Sequence, residues 1–467
     1  MNRFASFVLV LILTTCVIPA AVLPARAARG DLASYRWKSA TMAPQGTGYA
    51  KLMEDFLLPR VEEATNGDLV IKVFWGGAMG VDEDYIRKME IGQLQAAGLT
   101  ARGVVKACPE FAVLELPFLF RNYEEVDYVR ERMLPTFDAL TEQHGYWLLG
   151  WIDQDFDQIY STQRPLRTLE QYEKATFLQW MGPVEESLLR HLGTTAVEVP
   201  MEDLAPAIRQ GQCDAMIGPG VWFLGSQLHP LLKSVNLAKI RYSPAAMICT
   251  QDAWQELPEK YKGALWEDRM SLTREFVKGV REFNKEFIDA ILRYGVEEVR
   301  FGPEDERELR RRARLVWDDM AGEQFDVSLL EQILAHLAEF RNEKSVTVAK
   351  VEGKLVISER KRRSRTHARV TASADTNRLP TSSNVETRPA APSPESGAAP
   401  RRITWQERVA RIKAVQARLK EAGYYDMEID GIIGSGTYNG ILRYQRDHGL
   451  TRTGAINEEL LEEMGLR

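Results

Sequence analysis

Residues 49–77 read YAKLMEDFLLPRVEEATNGDLVIKVFWGG. In the first part Met53, Phe56, Leu57 and Val61 recur at the period of a helix and share one face, and Asn66-Gly67 offers a left-handed stop. Pro59 lacks an amide donor and predicts a kink. After Asp68 the period changes: Leu69, Ile71, Val73 and Trp75 alternate, which puts them on one side of a strand. Upstream, Trp37 to Met42 also reads as a strand. Downstream, a helical stretch ending near Ile91-Gly92 leads into the extended run LQAAGLT (94–100). Strand, helix and strand in succession predict an α/β architecture with largely parallel sheets. Helices follow at Val184 to Leu192 and Glu202 to Gln210. After Leu257-Pro258 the chain reads as long helices to about Phe340.

The chain has 467 residues, 45% of them hydrophobic, which is too long for one compact domain and too apolar for disorder throughout. With 60 Lys+Arg against 66 Asp+Glu there is no overall pull toward nucleic acid. Residues 1–27 read as a signal peptide, with Arg3 before an apolar core at Phe7 to Leu13 and Ala25-Arg26-Ala27 preceding a cut before Ala28. A lipid attachment at Cys16 is the alternative. The mature chain then divides into 28–345, dense in periodic apolar patterns, a linker at 346–402, and a module at 403–467. The linker contains a cationic run, RKRRSRTHAR (360–369), and then a Ser, Thr, Pro and Ala-rich stretch that reads as a flexible tether. Cys108, Cys213 and Cys249 have no metal-ligand spacing and read as buried thiols.

Enzyme motifs are absent from the sequence: no nucleophile elbow, His-Glu-x-x-His, phosphate loop or paired-Cys motif occurs. Glu185-Glu186 lies among Val184, Leu188, Leu189 and Leu192 at helical spacing and reads as a solvent face. The stretch from Asp426 imitates a calcium loop, with Glu428, Asp430 and Gly431 in step, but its twelfth position is Thr437, which cannot grip an ion with two oxygens. Around it, residues 408–423 predict a helix with Val409, Ile412, Val415 and Leu419 inward. A turn eased by Gly431 and Gly434, a second helix, and a third capped by Asn457 complete the module.

Six blocks occur in the order and at the spacing of the solute-binding proteins of TRAP transporters, the tripartite ATP-independent periplasmic importers. They are GDLVIKVFWGGAMG (67–80), MEIGQLQAAGLTARG (89–103), LELPFLFRNYEEV (114–126), HGYWLLGWIDQDF (144–156), RPLRTLEQYEKATF (164–177) and MEDLAPAIRQGQCDAMIGP (201–219). The resemblance, of the dicarboxylate-binding type, covers Tyr35 to Lys344. It implies two α/β lobes with long helices closing over a small solute that is passed to membrane permease subunits. It also locates a departure: the family's carboxylate-clamping Arg is matched by Leu178, and an Asn before a Pro is matched by Gly218. An aliphatic side chain offers no fork of donors. The remaining candidate cleft is aromatic, with Trp180, Trp222, Phe156, Trp151 and Phe223 beside Gln179, Asp153, Gln154, Asp155 and Arg102. Each Trp has ordinary core packing as its alternative. Arg102 is either a substitute cation or a surface charge, and the Asp153/Asp155 pair either holds a ligand or is a capping pair in a loop.

Residues 403–467 resemble the small three-helix peptidoglycan-binding domain through Gln416 to Leu419, Gly423-Tyr424-Tyr425, Ile429-Asp430-Gly431, Gly434, Thr437, Ile441, Tyr444-Gln445, Gly449-Leu450 and Gly454. The implied wall contact is Tyr424, Tyr425, Asp430, Thr437, Tyr444 and Gln445, some of which instead build the small core. The expectation is a periplasmic binding protein, not an enzyme, without cofactor or metal, tethered to the wall. A wall-associated sensor or scaffold with a repurposed solute domain is the alternative.

Overall fold

The computed structural model describes residues 33–46, 48–359, 403–433 and 435–466. The signal-peptide reading, the cationic run and the Pro/Ser/Thr/Ala stretch, like Gly434, lie outside them. Nine strands form one mixed sheet in the order β2-β1-β3-β8-β4-β7-β5-β6, with β9 on β8. In chain order they are β1 (Tyr35–Thr41), β2 (Leu69–Phe74), β3 (Ala96–Leu99), β4 (Tyr146–Ser161), β5 (Thr176–Gln179), β6 (Thr195–Glu198), β7 (Ala215–Gly218), β8 (Ser234–Thr250) and β9 (Glu297–Val299). The opening stretch folds as its periods require. Helix α1 comprises Gly48–Leu52, a π turn at Met53–Leu57 and Leu58–Ala64, so the irregularity falls just before Pro59. Asn66 then takes a left-handed conformation, and β2 pairs in parallel with β1.

Two strands make two lobes out of one sheet. The 16-residue β4 and 17-residue β8 run antiparallel through the whole molecule. At one end β8 pairs with β3 through Ala246 to Cys249, and at the other β4 pairs with β7 through Gln158 to Ser161. Between these ends the two strands pair with each other alone among the described residues, in a two-stranded ribbon that steps register between Asp153 and Asp155. The extra residue there is Gln154, a β-bulge of the kind that re-aims side chains. Helix α7 (Glu259–Arg293) braces the ribbon. At 1.5 Å per residue it is about 52 Å long. Its Phe276 and Val280 pack with the first lobe, and Ile291 with the second.

The other helices used below are α2 (Asp82–Glu90), α3 (Ala101–Ala107), α4 (Tyr123–Gln143), α5 (Pro183–Leu192), α6 (Gly220–Gly225), α8 (Pro303–Met320) and α9 (Val327–Phe340). The C-terminal module contributes α10 (Trp405–Glu421), α11 (Ser435–Asp447) and α12 (Glu458–Glu463). No helix among the described residues is long and apolar enough to cross a membrane.

Three readings need correction. The first residues of the linker are not a linker: β10 (Val346–Val351) and β11 (Lys354–Glu359) form a hairpin. Val348 and Leu355 of this hairpin enter the main core, and the Val348 amide donates to Glu331. Asp153 and Asp155 lie in β4, not in a loop, and both are buried. The C-terminal module is packed against the first lobe. Val415 and Leu419 face the module's own core as expected, but Ile412 and Val409 face the lobe. Asn457 caps α12 by accepting from the Leu460 amide, and Gly431 is left-handed, with Val409 where a side chain would go. The three cysteines are buried free thiols.

Candidate functional site

The two lobes face each other across a cleft of about 460 Å³, the size of a small-solute pocket. The first lobe contributes Glu83 of α2, Arg102, Val105 and Lys106 of α3, and Pro109. The second contributes Gln179 to Pro183 at the end of β5, with Glu186 and Glu198. Arg102 spans the opening. Its Nε donates to Glu83 at 2.6 Å and its Nη1 donates across the lobes to the Trp180 carbonyl at 2.6 Å. Thr100 caps α3 by accepting from the Gly103 amide and donates its own proton to buried Asp82, so the helix carrying Arg102 is fixed at its first turn.

The bulge anchors the helix that carries Arg102. The Gln154 side chain accepts from the Ala101 amide at 3.0 Å, tying the ribbon to the start of α3. The Gln154 carbonyl accepts from Tyr49 of α1 and from Asn284 of α7. Asp155 accepts from the Tyr123 hydroxyl at 2.6 Å and from the Phe156 amide, but its Oδ2 is buried without a partner among the described atoms, as is the Tyr160 hydroxyl. Burial pushes the Asp155 carboxyl up to about 7, and burial, with the Asp155 charge adding to it, pushes the Tyr160 hydroxyl upward.

The second-lobe wall is aromatic. Trp180 is fully buried, donates Nε1 to the Ile217 carbonyl at 3.0 Å and lies 5.0 Å from the Trp222 ring. Gly218 is required beside it, because a β-carbon there would lie 2.8 Å from the Trp180 ring. Leu178 is wholly buried in the second-lobe core that also holds Trp180 and Phe223.

Glu185 corrects the sequence reading. It does not face solvent: it is buried, and its Oε2 accepts from the amides of Trp180 and Met181 at 2.7 and 2.6 Å, fixing the cleft-lining turn. Only Glu186 of that pair is exposed. Behind it lies Arg241, which donates to Asp157 at 2.6 Å and to Glu115 at 3.0 Å. One polar atom on each of Arg241, Asp157, Glu115 and Glu185 is buried without a partner among the described residues. Burial raises both Glu115 and Glu185 to about 7, and the Arg241 charge offsets only part of that. Sequence reasoning missed Arg241 and Glu185. The signal available for Glu185 was its position three residues into a helix that starts with Gly-Pro, where a carboxylate reaches back to free amides.

Arg102, Gln179 and Trp180 thus share the cleft, with Trp222 behind Trp180. Phe156 packs on Tyr123 and Tyr242 at the ribbon. Phe223 packs on Tyr160. Two other residues are structural: Trp151 lies in the first-lobe core beneath Arg130, and Asp153 is held by Arg130, Arg281 and Tyr242. A separate apolar cavity of about 90 Å³, between the first-lobe sheet and α7, offers almost no polar group.

In the C-terminal module the six predicted wall contacts separate. Gln445 accepts from the Thr453 amide and donates to the Thr453 hydroxyl. Thr437 is buried against Gln416, and the Tyr425 hydroxyl donates to the Glu428 carbonyl at 2.6 Å. These three build the fold. Gln416, not among the six, organises the loop by donating to Asp430 and the Ile432 carbonyl and accepting from the Gly431 amide. Asp430 is exposed, and half-buried Tyr424 and exposed His448 flank Tyr444, which is itself buried in the module's core, with His448 stacked 3.8 Å from its ring.

Residues 39–324 match the family model of the bacterial extracellular solute-binding protein, family 7, and residues 408–464 that of a peptidoglycan binding domain. The C4-dicarboxylate-binding periplasmic protein DctP of Rhodobacter capsulatus is 22% identical over 286 residues, 59% of this chain and 80% of that protein. Among solved structures, the sugar acid binding protein of Advenella mimigardefordensis in complex with galactonate is 18% identical, covering 66% of this chain and 99% of that one, with a TM-score of 0.60. A Bordetella pertussis solute receptor binding pyroglutamic acid is also 18% identical, covering 65% and 99%, with a TM-score of 0.59.

Proposed function

Because the chain belongs to family 7 of the bacterial extracellular solute-binding proteins and ends in a peptidoglycan-binding domain, we propose that it captures one small polar solute in the periplasm and delivers it to TRAP permease subunits, while the C-terminal module attaches it to the wall. One observation carries this reading: a cleft of solute size lined by both lobes, with Arg102 already joining them across it. A ligand touching both lobes shifts the population toward the closed form, and each lobe presents groups for such contacts.

The three relatives named above bind acids, but this cleft argues for a different emphasis. Leu178 is buried where the clamp would be, and Arg102 is already neutralised by Glu83. The solute is therefore recognised by Trp180, backed by Trp222, by the hydrogen-bonding groups of Gln179, and by Arg102 as a single-point cation. Organic acids with one carboxylate and other polar solutes fit this better than a dicarboxylate. The alternative, a wall-associated sensor or scaffold, is favoured by one observation: Trp180 fills the space beside Gly218 and is itself fully buried.

The test is a melting-point screen of the full chain against monocarboxylates, dicarboxylates, sugars, amino acids and wall fragments. A ligand that binds only the folded state raises the melting point. A specific rise with one polar small molecule supports capture, and a rise only with wall fragments supports the scaffold.

A further inference from the structure

The sequence separates the C-terminal module from the solute domain by a long polar stretch, yet the two share a buried interface. Trp405, at the start of α10, closes a box with Trp147, Trp254 and Trp266 of the first lobe, their ring centroids 5.3, 5.7 and 5.5 Å from its own. Its indole donates to Glu259 at 2.7 Å. One turn on, Arg408 lies over the Trp147 and Trp266 rings and pairs with Glu142 at the end of α4, both side chains buried. The other Glu142 oxygen accepts from the Ile433 amide of the module at 3.0 Å, so one carboxylate is shared between two segments of the partner. Ile412, Ile433 and Ala455 pack on Ala139, and Ser328 of α9 donates to the Arg452 carbonyl. A buried, bridged charge pair of this kind is costly to leave half made, so it marks a specific interface, in contrast to a glancing contact between tethered bodies.

Apart from Ser328, on a helix that packs against α4, these partners belong to the first lobe or to the half of α7 that packs on it. We infer that the C-terminal module is a fixed extension of the first lobe, so that the wall holds the first lobe while the second swings to open and close the cleft. The clause about the wall rests on the proposed function, whereas the docking does not. The geometry leaves room for both contacts at once. The Tyr424, Tyr444 and His448 group, with exposed Met427 and Ile429, belongs to no part of the interface just described.

The experiment uses the full chain with a specific protease site placed between residues 360 and 402. After cleavage under native conditions, gel filtration is expected to return both fragments in one peak at the size of the uncut chain. Fragments eluting apart overturn the inference. Arg408→Ala, which leaves the module's own core of Val415, Leu419 and Ile441 untouched, is expected to separate the cut fragments, with helicity by circular dichroism unchanged. Co-elution as tight as wild type would refute the assigned interface. A second arm pellets the uncut chain with purified peptidoglycan. Pelleting by wild type, retained in Arg408→Ala and lost in Tyr424→Ala with co-elution intact, supports an outward wall face. Pelleting that appears only in Arg408→Ala would place wall binding on the docked face and overturn the fixed-extension arrangement. No pelleting by either protein, with co-elution intact, refutes the wall clause and leaves docking standing.

Discussion

Replacing Glu185 by Gln separates two roles of one side chain. The amide keeps an oxygen for the Trp180 and Met181 amides but cannot ionise. Burial raises the Glu185 carboxyl from 4.5 to about 7, a gap of roughly 2.5 pK units at ~1.4 kcal/mol each, or about 3 kcal/mol. The folded pKa is raised, so the contribution to stability is fully present below about pH 4.5 and is lost as pH rises through about 7. Wild type therefore carries the whole penalty of ionising this group at about pH 8 and little of it at about pH 5. Glu185→Gln should be close to wild type at the lower pH and more stable by up to about 3 kcal/mol at the higher, read as a shift of the urea midpoint with unchanged slope. Glu185→Ala should be destabilised at both, because two buried amides lose their acceptor at ~1–3 kcal/mol each. If Glu185→Gln is instead less stable than wild type at about pH 8, the ionised carboxylate is a stabilising counter-ion to Arg241 and the reasoning fails.

Three further outcomes follow from the same geometry. Gly218→Ala places a β-carbon 2.8 Å from the Trp180 ring and should cost ~1–3 kcal/mol of overpacking, with a red shift of tryptophan emission; an unchanged melting point and spectrum would show that the ring has room. Arg102→Met removes a part-exposed clasp worth ~1 kcal/mol, about fivefold in the closed-to-open ratio, and should enlarge the radius of gyration in small-angle scattering; an unchanged radius would mean that the clasp does not hold the lobes. Tyr160→Phe deletes a buried hydroxyl with no partner among the described residues and should be neutral or stabilising by up to about 1 kcal/mol in thermal unfolding; a loss above ~2 kcal/mol would reveal a bond at that hydroxyl.

The lobes were legible because their signals are local. The switch from helical to alternating period at Asp68 and the left-handed Asn66 are properties of neighbouring residues. Arg102 lies within the second block, and Gln179 and Trp180 follow the fifth at the end of β5, where all three line the same cleft. What sequence could not show was direction. Asp153 and Asp155 are two apart in one strand, yet Gln154 bulges between them, and the pair divides into one buried ion pair and one carboxyl without a cation in its hydrogen-bond shell. Glu185 and Glu186 look alike in a helix, but only the first reaches back to the amides before it. Val409 and Ile412 fit the module's own stripe as well as a partner's, so a docked module and a free one share one pattern. The hairpin at 346–359 alternates weakly and is held by α8 and α9, whose Asp318 and Glu331 accept from its Leu355 and Val348 amides.

The central claim is that the cleft between Arg102 and Trp180 captures a small solute. Calorimetric titration of the full chain with the best compound from the melting-point screen tests it most directly, alongside Arg102→Met and the packing-conservative Trp180→Phe. The account predicts one solute per chain, with affinity reduced at least about tenfold, or ~1.4 kcal/mol, in each variant. No measurable binding by wild type, or equal affinity in all three proteins, would contradict it.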